Sequence, residues 1–169
     1  MTVSLTIADP EAMERLGALL AEQLRAGDVL LLTGELGAGK TTLTRGLGAA
    51  LGVRGAVTSP TFVLARTHPR PAAPPLVHVD AYRLRDAAEL DDLDLDFAGS
   101  IVVVEWGAGL IEHLVDAWLA VTIERPSGAG AATDDDADPD AAPIEPRTVS
   151  IEGVGARWAD LGWLHAAGD

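Results

Sequence analysis

The chain of 169 residues contains no cysteine, no asparagine, one lysine, one tyrosine and 4% aromatic residues in all. Each shortage excludes something. Without cysteine there is no disulfide and no zinc–thiolate site. With so few aromatics, the 48% of hydrophobic residues must build a core from Ala, Val, Leu and Ile. Positive charge is also scarce: 12 Lys and Arg against 26 Asp and Glu give a net charge of −14 and a pI near 4.4. So acidic a surface repels phosphate backbones, which argues against unaided nucleic-acid binding. The opening MTVSLTIADPEAMERL lacks the basic-then-apolar pattern of a secretory signal. No apolar run approaches the roughly 18 residues of a membrane span. The expectation is a cytoplasmic protein without membrane attachment, with residues 1–169 forming a single domain.

What is present is concentrated around the one lysine. Lys40 lies in Gly34-Glu35-Leu36-Gly37-Ala38-Gly39-Lys40-Thr41, a full match to the phosphate-loop pattern G-x-x-x-x-G-K-[ST]. An apolar run, Val29–Leu32, reads as a buried parallel strand just before it. Thr41–Leu51 reads as the helix after it, with Leu43, Leu47 and Leu51 on one face. That strand–loop–helix context is the one a phosphate loop requires. Glu35, Leu36, Gly37, Ala38, Gly39, Lys40, Thr41 and Thr42 are the expected nucleotide-binding run. Its backbone N–H groups and helix dipole would hold phosphate. Lys40 would reach the β- and γ-phosphates, and the Thr41 hydroxyl would hold Mg²⁺. An N-K-x-D guanine-reading element cannot be assembled without asparagine, which favours ATP over GTP.

Elsewhere, Thr2–Ile7 reads as a strand, and Asp9, Pro10 and Glu11 open a helix that Gly27 closes. Phe62–Ala65 and Leu76–Val79 read as strands, with a stiff proline loop at His68–Pro75 between them. Asp86–Phe97 reads as an acidic helix, Ile101–Val104 as the strongest strand, and Ala117–Ile123 and Arg147–Ile151 as further strands. Arg157–Ala167 reads as a terminal helix. The acidic, Pro- and Gly-containing stretch 124–145 reads as disordered. The fold class is α/β and P-loop NTPase-like: a mostly parallel sheet flanked by helices, with some antiparallel edge strands.

Asp80 and Glu105 each directly follow an apolar strand, where ligands bind in open parallel sheets. Facing Mg-phosphate, they are candidate ligands for the metal or its waters, and candidates to position an attacking water. The catalytic candidates are therefore Lys40, Asp80 and Glu105; the metal candidates are Thr41, Asp80 and Glu105. Ser59 and Thr61 lie in the connector after the loop helix, where a switch segment would close over the γ-phosphate. His78 reads as a packed histidine, and Trp106 either packs on nucleotide or partner or belongs to the core.

Gly34–Thr42 (GELGAGKTT), Thr58–Phe62 (TSPTF), His78–Leu84 (HVDAYRL) and Glu105-Trp106 occur in that order and spacing. Together they resemble the TsaE (YjeE) family of small bacterial P-loop ATPases. That resemblance implies work with TsaB and TsaD in placing threonylcarbamoyl on adenosine 37 of tRNAs reading ANN codons, with tRNA met only through those partners. It implies phosphate and Mg²⁺ binding by Lys40 and Thr41. It also implies support of hydrolysis or metal binding by Asp80 and Glu105, and a switch-like role for Ser59 and Thr61. Arg147 is placed on the nucleotide side by the same resemblance. Met13 stands where many relatives carry threonine, and 124–145 is longer than the family's usual hairpin. Hydrolysis is expected to be slow, because no arginine finger is evident. The competing readings are a small-molecule or nucleotide kinase, for which Arg125 alone would furnish a lid, and a nucleotide-dependent binding module without turnover.

Overall fold

The computed structural model describes residues 2–35, 37–53, 55, 57, 64–126 and 145–167. Among the described residues, seven strands form one sheet: β1 (Thr2–Ile7), β2 (Val29–Gly34), β3 (Ala65–Arg70), β4 (Ala73–Asp80), β5 (Ile101–Glu105), β6 (Trp118–Glu124) and β7 (Arg147–Val154). Their order is β1-β7-β6-β2-β5-β4-β3. The centre, β6-β2-β5-β4, is parallel, and the outer pairs β1/β7, β6/β7 and β3/β4 are antiparallel. This is the expected α/β sheet with antiparallel edges.

The continuous apolar runs follow from coverage of the central strands on both faces. Leu30, Leu32, Ile101 and Val103 join a core cluster with helices α1 (Pro10–Gln23) and α2 (Lys40–Leu51). Val29, Leu31, Val102 and Val104 point into a second cluster with Leu90 and Ile111. Burying one such Leu or Ile side chain contributes roughly 1.5–3 kcal/mol. Asp9 caps α1 by accepting a hydrogen bond from Ala12 N–H at 2.8 Å. The helix ends at Gln23, ahead of Gly27, which sits in the following turn with φ +93°.

Three local expectations are corrected. His68–Pro75 is not a loop but the tip of a hairpin, β3 and β4 joined by a turn in which Ala72 takes φ +52°. The prolines are tolerated for positional reasons. Pro69 lies on the sheet's edge strand, where the register shifts between His68 and Arg70, so its missing N–H removes little pairing. Pro74 and Pro75 precede Leu76, where pairing with β5 begins. Of the strand expected at Phe62–Ala65, Phe62 and Val63 lie outside the described residues, and Leu64 has φ +61°.

The acidic helix shrinks to α3 (Ala87–Asp91), capped by the Asp86 carboxylate. Asp91 and Asp92 crowd its C-terminal end, where the dipole disfavours negative charge, and Asp94 turns left-handed at φ +53°. The terminal helix becomes two 3₁₀ segments, Ala156–Trp158 and Gly162–Ala167. Asp160 separates them by accepting a hydrogen bond from Gly162 N–H. Of the acidic stretch 124–145, residues 127–144 lie outside the described residues.

Candidate functional site

β2 delivers the chain at Gly34, and α2 begins at Lys40. Gly39 at the helix N-cap holds φ +118° and Gly37 holds φ +80°, a left-handed curl that suits glycine. Among the described residues, a Cβ placed on Gly37 would meet nothing within 4 Å. No side chain caps α2 and no acid lies in its first turn. Its leading N–H groups are therefore available to an anion.

Lys40 is buried at 7% exposure. Its Nζ donates to the Gly34 carbonyl at 2.5 Å and lies 3.9 Å from Glu105 Oε1. Burial lowers the Lys40 pKa from its usual 10.5, while the Glu105 and Asp80 carboxylates act to raise it. Thr41 and Thr42 are half-buried and line the same cleft.

The two acids meet across the sheet. Asp80 ends β4 and Glu105 ends β5, and they are register partners. Asp80 is half-buried, and one of its oxygens accepts the Tyr82 N–H at 3.0 Å. Glu105 is 5% exposed. Its Oε2 lies 2.7 Å from His78 Nε2, also buried. Glu35, Gly37, Gly39, Lys40, Thr41, Thr42, Asp80, Tyr82, Glu105 and Trp106 together enclose a cleft of about 610 Å³.

Most of the candidates thus converge. Ala38 is buried within the loop, and its carbonyl accepts a hydrogen bond from Arg147 Nε at 3.1 Å. Arg147 also donates to the Glu145 carbonyl at 3.1 Å. It does not line the cleft and reaches it through the loop backbone. Leu36, Ser59 and Thr61 lie outside the described residues. Met13 packs beside the loop, its Cε 3.3 Å from where a Gly39 Cβ would stand.

Three neighbours of the acids were not among the residues assigned to the site from sequence. His78, read as packing, bonds Glu105. Trp106 is 39% exposed rather than core, its ring centroid 4.2 Å from Lys40 Nζ. Tyr82, 70% exposed, meets the Trp106 ring edge-on at 5.3 Å. Strand alternation offered one signal, since His78 and Asp80 are two apart on β4 and share a face.

The donor set fits a magnesium ion held partly by phosphate. Among the described residues no group of three or more His, Asp or Glu is arranged to hold a metal. Mg²⁺ commonly uses one or two carboxylates, substrate phosphates and waters. The hydroxyl of Thr41 and the carboxylates of Asp80 and Glu105 on the cleft wall match that demand.

The model of the family described as Threonylcarbamoyl adenosine biosynthesis protein TsaE matches residues 7–131. This chain belongs to the TsaE family. Lys40, Asp80 and Glu105 fall inside the TsaE match and Arg147 outside it. A Streptomyces coelicolor protein named tRNA threonylcarbamoyladenosine biosynthesis protein TsaE is 56% identical over 151 residues, 87% of this chain and 94% of that one. The Bacillus subtilis protein of the same name is 39% identical over 118 residues, 69% of this chain and 74% of its own. The crystal structure of Bacillus subtilis YdiB superposes with a TM-score of 0.70 at 27% identity, covering 99% of this chain and 94% of that one. The fold is that of a P-loop NTPase. No helix among the described residues is long and apolar enough to cross a membrane.

Proposed function

We propose that this chain binds Mg-ATP at the Gly34–Thr41 loop and hydrolyses it slowly. In this reading it is a cytoplasmic accessory in threonylcarbamoylation of adenosine 37 of tRNAs reading ANN codons, acting with TsaB- and TsaD-like proteins. One observation carries the site reading: Lys40, Asp80 and Glu105 meet in a single cleft at the N-terminus of α2. Membership of the TsaE family supports the pathway.

The division of labour follows from the residues. The N–H groups at the start of α2, which no side chain caps, and the Lys40 ammonium offset phosphate charge. The Thr41 hydroxyl and the Asp80 and Glu105 carboxylates would hold the metal or its waters. Magnesium would supply further charge neutralisation at the phosphate oxygens. Glu105, its carboxylate tied to His78 on one side and near Lys40 on the other, orients the attacking water. Water adds to the γ-phosphorus, the bond to the β-phosphate oxygen breaks, and the proton leaves to phosphate or solvent.

No arginine lines the cleft among the described residues, so intrinsic turnover is slow and partners accelerate it. The net charge of −14 leaves tRNA binding to those partners. The test is ATP turnover with and without the partner complex. Stimulated hydrolysis that Lys40→Ala abolishes is expected. Unchanged turnover in that variant overturns the proposal, as does isolated turnover near the enzyme median of about 10 s⁻¹.

A further inference from the structure

The His78 ring is fully buried, yet among the described residues it makes a single polar contact. Its Nε2 meets Glu105 Oε2 at 2.7 Å, and among the described residues its Nδ1 has no hydrogen-bond partner. A histidine kept for packing would be expected to satisfy both nitrogens or be replaced by an apolar side chain. Here a polar ring is held in the core with one nitrogen unpaired, and its one partner is the acid on the cleft wall.

The placement is dictated by the sheet. His78 pairs with Val103 and Asp80 with Glu105 in the parallel β4/β5 ladder. Side chains two apart share a face, so His78 lies one step further from the strand ends than Glu105, on the same face. From there it reaches one oxygen of the carboxylate. Glu105 Oε1, the other oxygen, lies 3.9 Å from Lys40 Nζ. A glutamate has three freely rotating side-chain bonds, and a bond to one oxygen fixes where the other points. The unpaired Nδ1 identifies Nε2 as the proton-bearing nitrogen, because a buried N–H without a partner is the rarer arrangement. Nε2–H then donates to Glu105.

We propose that His78 is a positioning residue for Glu105: it holds one carboxylate oxygen so that the other is presented to Lys40 and to the cleft. This rests on the reading of Glu105 as the group that orients water or metal-bound water. His78 itself touches neither nucleotide nor water in this role.

The experiment measures partner-stimulated ATP turnover in His78→Leu, His78→Gln, Glu105→Gln and the double variant His78→Leu/Glu105→Gln. Melting temperatures are taken in parallel. Loss of a residue that orients a site ligand commonly costs on the order of 10- to 100-fold in activity. His78→Leu should lower kcat by that order while leaving the KM for ATP within about twofold, since uniform binding is untouched. His78→Gln places an amide N–H near the position of Nε2 and should restore most of the loss. In the Glu105→Gln background, His78→Leu should have no further effect, because both changes act through one group.

An equal fractional loss in both backgrounds overturns the inference, and so does wild-type kcat in His78→Leu. If His78→Leu does not fold, the Gln variant decides: kcat as low as in Glu105→Gln, with a normal melting temperature, overturns it. The underlying reading fails separately. Full turnover in Glu105→Gln removes Glu105 from the mechanism whatever His78 does.

Discussion

Lys40 Nζ lies 4.2 Å from the centroid of the Trp106 ring, and Trp106 holds its backbone at φ +60°. A bulky residue in the left-handed region costs about 1–2 kcal/mol. Such strain persists where the surroundings over-determine it, commonly at functional sites. Cation–π attraction of roughly 0.5–2 kcal/mol is one compensation. Two substitutions separate backbone from ring. Both Trp106→Ala and Trp106→Gly remove the ring, but only glycine relieves the φ. Thermal unfolding should therefore show Trp106→Gly more stable than Trp106→Ala by about 1 kcal/mol, or roughly 2–4 °C. The reverse order, which is usual at negative φ, would show that position 106 is not constrained in this way.

Arg147 grips the loop from outside the cleft through the Ala38 carbonyl, while its other arm is held by the Glu145 carbonyl two residues earlier in the chain. A hydrogen bond from a charged donor contributes about 1.5–3 kcal/mol. Arg147→Ala should leave the loop less ordered and raise the ATP dissociation constant, on the order of 10-fold, as measured by calorimetry. Lysine cannot reproduce the fork that reaches two carbonyls, so Arg147→Lys should recover little of the affinity. Full recovery with lysine would mean that charge alone matters at this position.

Much of this site was legible because local rules and the sheet agree. The glycines and Lys40 read as a phosphate loop, and the apolar runs before Asp80 and Glu105 set both acids at strand ends. What stayed hidden depends on neighbours in space. The prolines of His68–Pro75 read as a loop because strand propensity carries no information about which strand lies at an edge. His78 read as packing because its partner is 27 residues away, on another strand. Trp106 read equally as core because nothing local to Glu105-Trp106 shows that the backbone turns left-handed and brings the ring over Lys40. In Asp86–Phe97 the helical pattern was present but the charge at the C-terminal end opposed it, and a five-residue helix is what remains.

His68 supplies a pH dependence. It is buried on β3, and its pKa is lowered from 6.5 by that burial first, with the nearby Arg66 charge acting in the same direction. The unfolded chain therefore binds a proton at a pH where the folded chain does not. The associated stability is fully present above pH 6.5, falls as pH drops toward the lower folded pKa, and is flat below it. His68→Leu removes this titration. Between pH 7 and 5 the melting temperature of the unsubstituted chain should fall more than that of the variant. Parallel curves would show that His68 does not couple to folding.

Helices α1 and α2 approach so closely that each contributes a glycine. A Cβ on Gly46 would collide with the Glu14 carbonyl oxygen of α1, and one on Gly17 with the Leu43 carbonyl oxygen of α2. The contact sets where α2 lies against the sheet, and α2 carries Lys40 on its first turn. Propensity alone would make alanine better than glycine inside a helix by about 0.5–1 kcal/mol. Backbone atoms of a packed neighbour cannot yield as a side-chain tip can. Overpacking of this kind costs typically about 1–3 kcal/mol. Gly46→Ala should therefore lower the melting temperature by several degrees, against the propensity trend, and weaken ATP binding as α2 shifts. Gly52 is the contrast, since at φ +75° it has nothing among the described residues within 4 Å of its Cβ position. Gly52→Ala should cost about 1 kcal/mol through backbone strain and leave ATP affinity unchanged. A stable, tightly binding Gly46→Ala variant would mean that the helices can separate without moving the loop.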